Sequence, residues 1–119
     1  MNRTRMLAAV SLIALGAAVF ASGAGATTPK LNASVSDPFN ISLTQGTTKV
    51  TNLKAGTYTI VVKDTAADHN FHLKGPGVNK STSVGGKIAT IWTVTLKKGT
   101  YTYVCDPHSS SMKGSFTVS

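Results

Sequence analysis

From residue 27 onward, apolar and polar residues alternate with a period of two in short runs. That is the period of a strand with one buried face and one wet face. Leu31, Ala33 and Val35 alternate with Asn32 and Ser34, and Phe39, Ile41 and Leu43 alternate with Asn40, Ser42 and Thr44. The turn formers Asp37-Pro38 and Gln45-Gly46 punctuate these runs. Further along, the same reading turns Tyr58, Ile60 and Val62 inward, then Thr90, Trp92, Val94 and Leu96, then Tyr101, Tyr103 and Cys105, and finally Phe116 and Val118. Gly75-Pro76-Gly77 reads as a loop and Gly85-Gly86 as a turn. No window carries helical apolar spacing. Seven or eight short strands in a chain of this size predict an all-β fold, a Greek-key β-sandwich or barrel.

Leu53-Lys54-Ala55-Gly56-Thr57-Tyr58-Thr59 resembles Leu96-Lys97-Lys98-Gly99-Thr100-Tyr101-Thr102, each a turn feeding a strand. Two copies are too few for a solenoid, so they predict two equivalent corners of one sandwich. In the second corner Tyr101, Tyr103 and Cys105 share a face, which aims the thiol at the core as its strand ends.

Residues 1–26 break the pattern. Arg3 and Arg5 precede an apolar run from Met6 through Phe20, and Ala24-Gly25-Ala26 supplies the small-x-small signature of a cleavage site. The run is shorter than the roughly 20 residues of a membrane span. We therefore expect a signal peptide over 1–26 and one domain over 27–119. No cysteine stands directly after the run and the two arginines are not adjacent, so neither a lipoprotein anchor nor a twin-arginine signal is expected. The mature chain would be exported to the periplasm or the exterior, with no transmembrane anchor after cleavage, as a monomer.

Residues 27–119 hold ten Lys, four Asp and neither Glu nor Arg, a formal charge of +6 with neutral histidines. A basic surface favours acidic partners. The lysines are scattered, however, and form no nucleic-acid patch. With no Glu, no paired carboxylates, no plausible Ser-His-Asp order and no phosphate-binding glycine loop, nothing points to an enzyme.

The single cysteine, Cys105, narrows the chemistry. An exported thiol usually pairs, so a lone one pairs with another chain, is buried and inert, or is occupied by a metal. Its neighbours decide. Cys105-Asp106-Pro107-His108-Ser109-Ser110-Ser111-Met112 places a thiolate, an imidazole and a thioether in eight residues. Two His nitrogens, one Cys sulfur and a long axial Met form the trigonal site suited to copper cycling between two oxidation states. A structural zinc site competes poorly, since such sites use more thiolates and rarely a thioether. The second histidine must be His69 or His72.

From about Leu31 onward the chain resembles the cupredoxins, especially the small plastocyanin-like and amicyanin-like proteins. The resemblance rests on the Cys105 to Met112 loop and on Asp68-His69-Asn70-Phe71-His72. In that family the upstream copper histidine is followed by Asn, which matches His69-Asn70, and His72 matches a position that is not a ligand. The resemblance thus implies one type 1 copper ion held by His69, Cys105, His108 and Met112. Asp68 stands where the family has Pro. The resemblance also gives Asn70 the role of tying the two ligand loops near the cysteine sulfur. It makes His108 the exit for the electron, with Pro107, Met112 and Pro76 expected around it as a docking surface. Asp106 and the three serines are expected only to solvate the loop, and His72 to be exposed without a role.

The function this predicts is single-electron transfer between redox partner proteins, with acidic ones favoured. Extracytoplasmic copper storage or delivery would use the same residues. A metal-free secreted β-sandwich that binds another protein is the third reading. A multicopper oxidase or nitrite reductase is disfavoured, because those combine several such domains.

Overall fold

The computed structural model describes residues 27–119; the signal peptide expected over 1–26 lies outside the described residues. Ten strands follow in order: β1 (Lys30–Ser36), β2 (Asn40–Gln45), β3 (Thr48–Lys49), β4 (Asn52–Leu53), β5 (Gly56–Asp64), β6 (His72–Gly75), β7 (Val78–Ser81), β8 (Ile88–Leu96), β9 (Gly99–Val104) and β10 (Lys113–Val118). A single 3₁₀ turn, Asp106–His108, lies between β9 and β10. The count exceeds the expected seven or eight because β3 and β4 are two-residue strands, too short to leave an alternating signature. Gly75-Pro76-Gly77 is tighter than the expected loop, since Gly75 ends β6 and the next two residues turn directly into β7.

The strands form two five-stranded sheets, ordered β3-β2-β1-β5-β8 and β4-β10-β9-β6-β7. Both are mixed. β1 runs parallel to β5 and β4 parallel to β10, while the remaining pairs are antiparallel. The parallel pairings join strands distant in sequence, so the chain crosses between sheets rather than meandering within one.

The core lies between the sheets. Leu31, Ala33, Leu43, Ile60 and Val62 come from one sheet, and Leu73, Tyr101, Tyr103, Phe116 and Val118 from the other. Phe71, just before β6, stacks on Tyr103 at 5.5 Å and 15°, and Tyr101 stacks on Phe116 at 5.3 Å and 11°. The two repeated corners open one strand in each sheet, β5 at Gly56 and β9 at Gly99. Each is pinned by its tyrosine. The Tyr58 hydroxyl donates to the Lys54 carbonyl at 2.7 Å. The Tyr101 hydroxyl donates to the Pro76 carbonyl at 2.6 Å and accepts from the Lys97 amide at 2.9 Å.

A smaller cluster, Val35, Cys105 and Met112 with Ile41 against it, continues the core toward one end of the sandwich. There β1 passes into β2, β5 into β6 and β9 into β10, so three loops converge on a rigid platform. Among the described residues no helix is long and apolar enough to cross a membrane.

Candidate metal centre

Cys105 follows the last residue of β9 and is fully buried, as its place on the Tyr101 and Tyr103 face required. Its amide donates to the Met112 carbonyl at 3.0 Å, which closes the loop at its base. Within the loop, the His108 amide donates to the Cys105 carbonyl at 3.0 Å and the Met112 amide to the His108 carbonyl at 2.8 Å. Pro107 inside the 3₁₀ turn supports this tight path. The 105–112 segment is therefore held by its own backbone. Met112 is fully buried beside Cys105.

His69 comes from the β5–β6 loop and is fully buried. Its Nδ1 lies 3.7 Å from Cys105 Sγ and 3.1 Å from His108 Nδ1, and His108 Nδ1 lies 3.5 Å from Sγ. Three soft or borderline donors thus face one point. Imidazole and thiolate bonds of about 2.0 and 2.3 Å at trigonal angles would separate such donors by about 3.5–3.8 Å. The observed triangle is that of a metal site drawn slightly inward, and His69, Cys105 and His108 form a group able to hold an ion.

The β5–β6 loop is braced from below. The buried Asp64 carboxylate accepts from the Ala66 amide at 3.1 Å and from the Thr82 hydroxyl at 3.2 Å. Thr82 Oγ1 in turn accepts from the Phe71 amide at 2.9 Å, and its carbonyl accepts from Asn70 Nδ2 at 3.3 Å. Burial pushes the Asp64 carboxyl above the usual carboxylate range, although these hydrogen bonds pull the other way.

Asn70 also bonds across the gap: its Nδ2 donates to Asp106 Oδ2 at 2.8 Å, and its Oδ1 accepts from the Asp106 amide at 2.7 Å. It ties the two ligand-bearing loops, as the resemblance implied. Asp106 does more than solvate. Its carboxylate takes this bond and two contacts from His72 Nδ1, at 2.9 and 3.0 Å. Burial alone would raise its pKa, but the bonds from Asn70 and His72 and the charges of His72 and Lys74 outweigh it, so the net direction is down.

His72 opens β6 and stays out of the donor triangle. Its Nδ1 meets Asp106, and its Nε2 meets Asn79 Oδ1 at 2.6 Å. Its side chain is only 16% exposed, so it is neither as open nor as idle as the sequence suggested. It braces the loop from outside.

The expected docking surface is also revised. Met112 is fully buried, and Pro76, in the β6–β7 turn, packs against Gly99 at the start of β9, away from the Cys105 end. Pro107 is exposed and His108 half-buried. Phe39, expected to point inward, is instead 59% exposed, in the turn before β2. Its ring centroid lies 5.9 Å from that of His69 and 5.3 Å from that of His108. Alternation with Ile41 and Leu43 concealed this, because the β1–β2 turn extends one residue beyond Asp37-Pro38.

A family description, "Cupredoxin-like domain", matches residues 11–118. Among curated proteins none matches. Among solved structures, the chain is similar to rusticyanin from Thiobacillus ferrooxidans, with 23% identity and a TM-score of 0.53 over 76% of each chain. It is also similar to dithionite-reduced auracyanin from the photosynthetic bacterium Roseiflexus castenholzii, with 22% identity and a TM-score of 0.53 over 79% of this chain and 99% of that one. These likenesses concern the fold, and they agree with two mixed sheets joined by parallel crossovers. With the family description spanning nearly the whole sequence, the chain belongs to the cupredoxin-like family.

Proposed function

We propose that the protein is an exported electron carrier whose single type 1 copper ion is held by His69, Cys105, His108 and Met112. The observation that carries this is the convergence of His69 Nδ1, His108 Nδ1 and Cys105 Sγ within 3.1–3.7 Å of one another. Copper in such a site supplies a one-electron couple near a thiolate ligand. Everything else is done by the chain. Cys105 and Met112 are fixed by the loop's backbone bonds and His69 by the Asp64–Thr82 brace. The donor geometry is thus set before an ion enters, and little rearrangement is needed when the charge changes. His69, Cys105 and Met112 are fully buried, so only the half-buried His108 brings the site to the surface. That favours a carrier over an enzyme.

The electron's route to the surface is His108, the half-buried ligand, with Phe39 and Pro107 around it as the contact face for redox proteins. Encounters over so small a face are brief. The net charge favours acidic partners at long range, although Asp37, Asp68 and Asp106 lie close to the site. Residues 1–26 act as the signal peptide and 27–119 as the mature monomer, in the periplasm or outside the cell. Arg3, Arg5, the apolar run and Ala24-Gly25-Ala26 support this reading.

The test is to add Cu(II) to the mature protein and record its visible spectrum through a cycle of reduction and reoxidation. An intense thiolate-to-copper band that bleaches and returns, and that Cys105→Ser abolishes, is the expected result. A colourless protein that binds Cu(I) and yields it rapidly to a chelator would favour copper delivery instead.

A further inference from the structure

The two imidazoles of the site are not equivalent. Once Nδ1 of His69, which is turned toward Cys105 Sγ, is given to a metal, the neutral ring keeps its proton on Nε2. That nitrogen faces the Pro38 carbonyl at 2.9 Å. Asp37 Oδ1 lies 3.2 Å from the same nitrogen and Asp68 Oδ1 3.8 Å from it. Two of the four aspartates in residues 27–119 therefore stand directly behind one buried ligand ring. Among the described residues, no carboxylate contacts the ring of His108.

We infer that Asp37, seconded by Asp68, is a positioning residue that holds the redox equilibrium of the site toward its oxidised form through the outer nitrogen of His69. The inference rests on the copper reading above. Pro38 fixes the proton on Nε2 and hence the ring's orientation. The carboxylates add charge. An acceptor behind a ligating imidazole raises its basicity, and a nearby negative charge favours the state with one more positive charge. Reduction brings in one electron and removes one unit of that charge, so the stabilisation from Asp37 is partly lost in that step. Asp37 and Asp68 are 70% and 68% exposed, so water and salt screen the effect and keep it moderate. Asp37 is the stronger of the two because it is closer.

The experiment compares copper-loaded wild type, Asp37→Asn, Asp68→Asn and Asp37→Glu by visible spectrum and by equilibrium titration against a one-electron mediator. Asp37→Asn should keep the thiolate band, since the Pro38 carbonyl still receives the Nε2 proton. Its equilibrium should move toward the reduced form by about threefold to tenfold, where tenfold corresponds to about 59 mV for one electron. Asp68→Asn should move the same way by less. Asp37→Glu, which keeps the charge, should stay near wild type, and raising the ionic strength should shrink the difference between Asp37→Asn and wild type. An Asp37→Asn protein with an intact band and an unchanged or lowered potential overturns the inference and leaves the copper reading standing, as does an Asp37→Glu protein shifted as far as Asp37→Asn. A wild type that shows no thiolate band overturns the copper reading, and the inference with it.

Discussion

Asn70 and Asp106 exchange two hydrogen bonds, side-chain amide to carboxylate at 2.8 Å and backbone amide to side-chain carbonyl at 2.7 Å. This reciprocal pair locks the histidine loop to the cysteine loop. Asn70→Ala removes both bonds, together with the weaker bond to the Thr82 carbonyl, and leaves the Asp106 amide without its partner. The cost should be about 1–3 kcal/mol for a polar group left unmatched near the core. Urea unfolding of the metal-free protein measures it. Because the pair also sets the distance between the loops, the copper-loaded variant should show a shifted visible band as well.

The two nearby histidines should separate cleanly. His69→Ala removes a buried donor from the triangle, and copper should no longer give an intense band. His72→Ala leaves the triangle whole and loses only the contacts to Asp106 and Asn79. The band should therefore persist, with stability falling by about 1 kcal/mol or less, since Asp106 is substantially exposed. Equal spectra from the two variants would refute the ligand assignment.

Acid should act on two carboxylates in opposite senses. The Asp106 pKa is lowered on folding, so its contribution to stability is present above its ordinary value of 3.8 and is lost as pH falls through the folded value. The Asp64 pKa is raised. Its contribution is full below 3.8 and is lost as pH rises through its folded value. In metal-free protein followed from about pH 6 to about pH 3, Asp106→Asn should flatten the acid-induced loss of stability and Asp64→Asn should steepen it.

Much of this was legible in the sequence for a definite physical reason. Buried strand faces must alternate, so Leu31, Ala33, Val35, Ile60, Val62, Tyr101 and Tyr103 announced themselves, and all are buried. Cys105 could be placed because it continues the Tyr101 and Tyr103 face. His69 needed more than spacing, because both histidines lie in one short segment. Only the fold shows that one precedes the loop's end and the other begins β6. Phe39 misled because alternation carries no mark of where a turn stops. The Asp64–Thr82 brace was invisible because its partners lie 18 residues apart and meet only when sheets and loops are in place. Asp106 was underrated for the same reason, since its value comes from Asn70 and His72, more than 30 residues upstream.

The last prediction concerns a glycine that the site depends on without containing it. Gly114 pairs directly with Tyr103 across β10 and β9, two residues beyond Met112 on one strand and two before Cys105 on the other. A Cβ built on Gly114 would clash with Tyr103, at its Cζ and its hydroxyl oxygen. That ring is buried and stacked on Phe71, so it has nowhere easy to go. Gly114→Ala must therefore push either the ring or the strand pair, at about 1–3 kcal/mol, as overpacking of a filled core costs. Gly85→Ala, where the added Cβ meets open space, serves as the control and should be nearly neutral. Thermal unfolding of the metal-free proteins compares them. Because Cys105 and Met112 ride on the ends of the displaced strands, Gly114→Ala should also alter the visible band of the copper-loaded protein, and Gly85→Ala should not. A Gly114→Ala protein as stable as wild type would mean that Tyr103 can leave its stack freely, contrary to the packing that holds the cysteine strand in place.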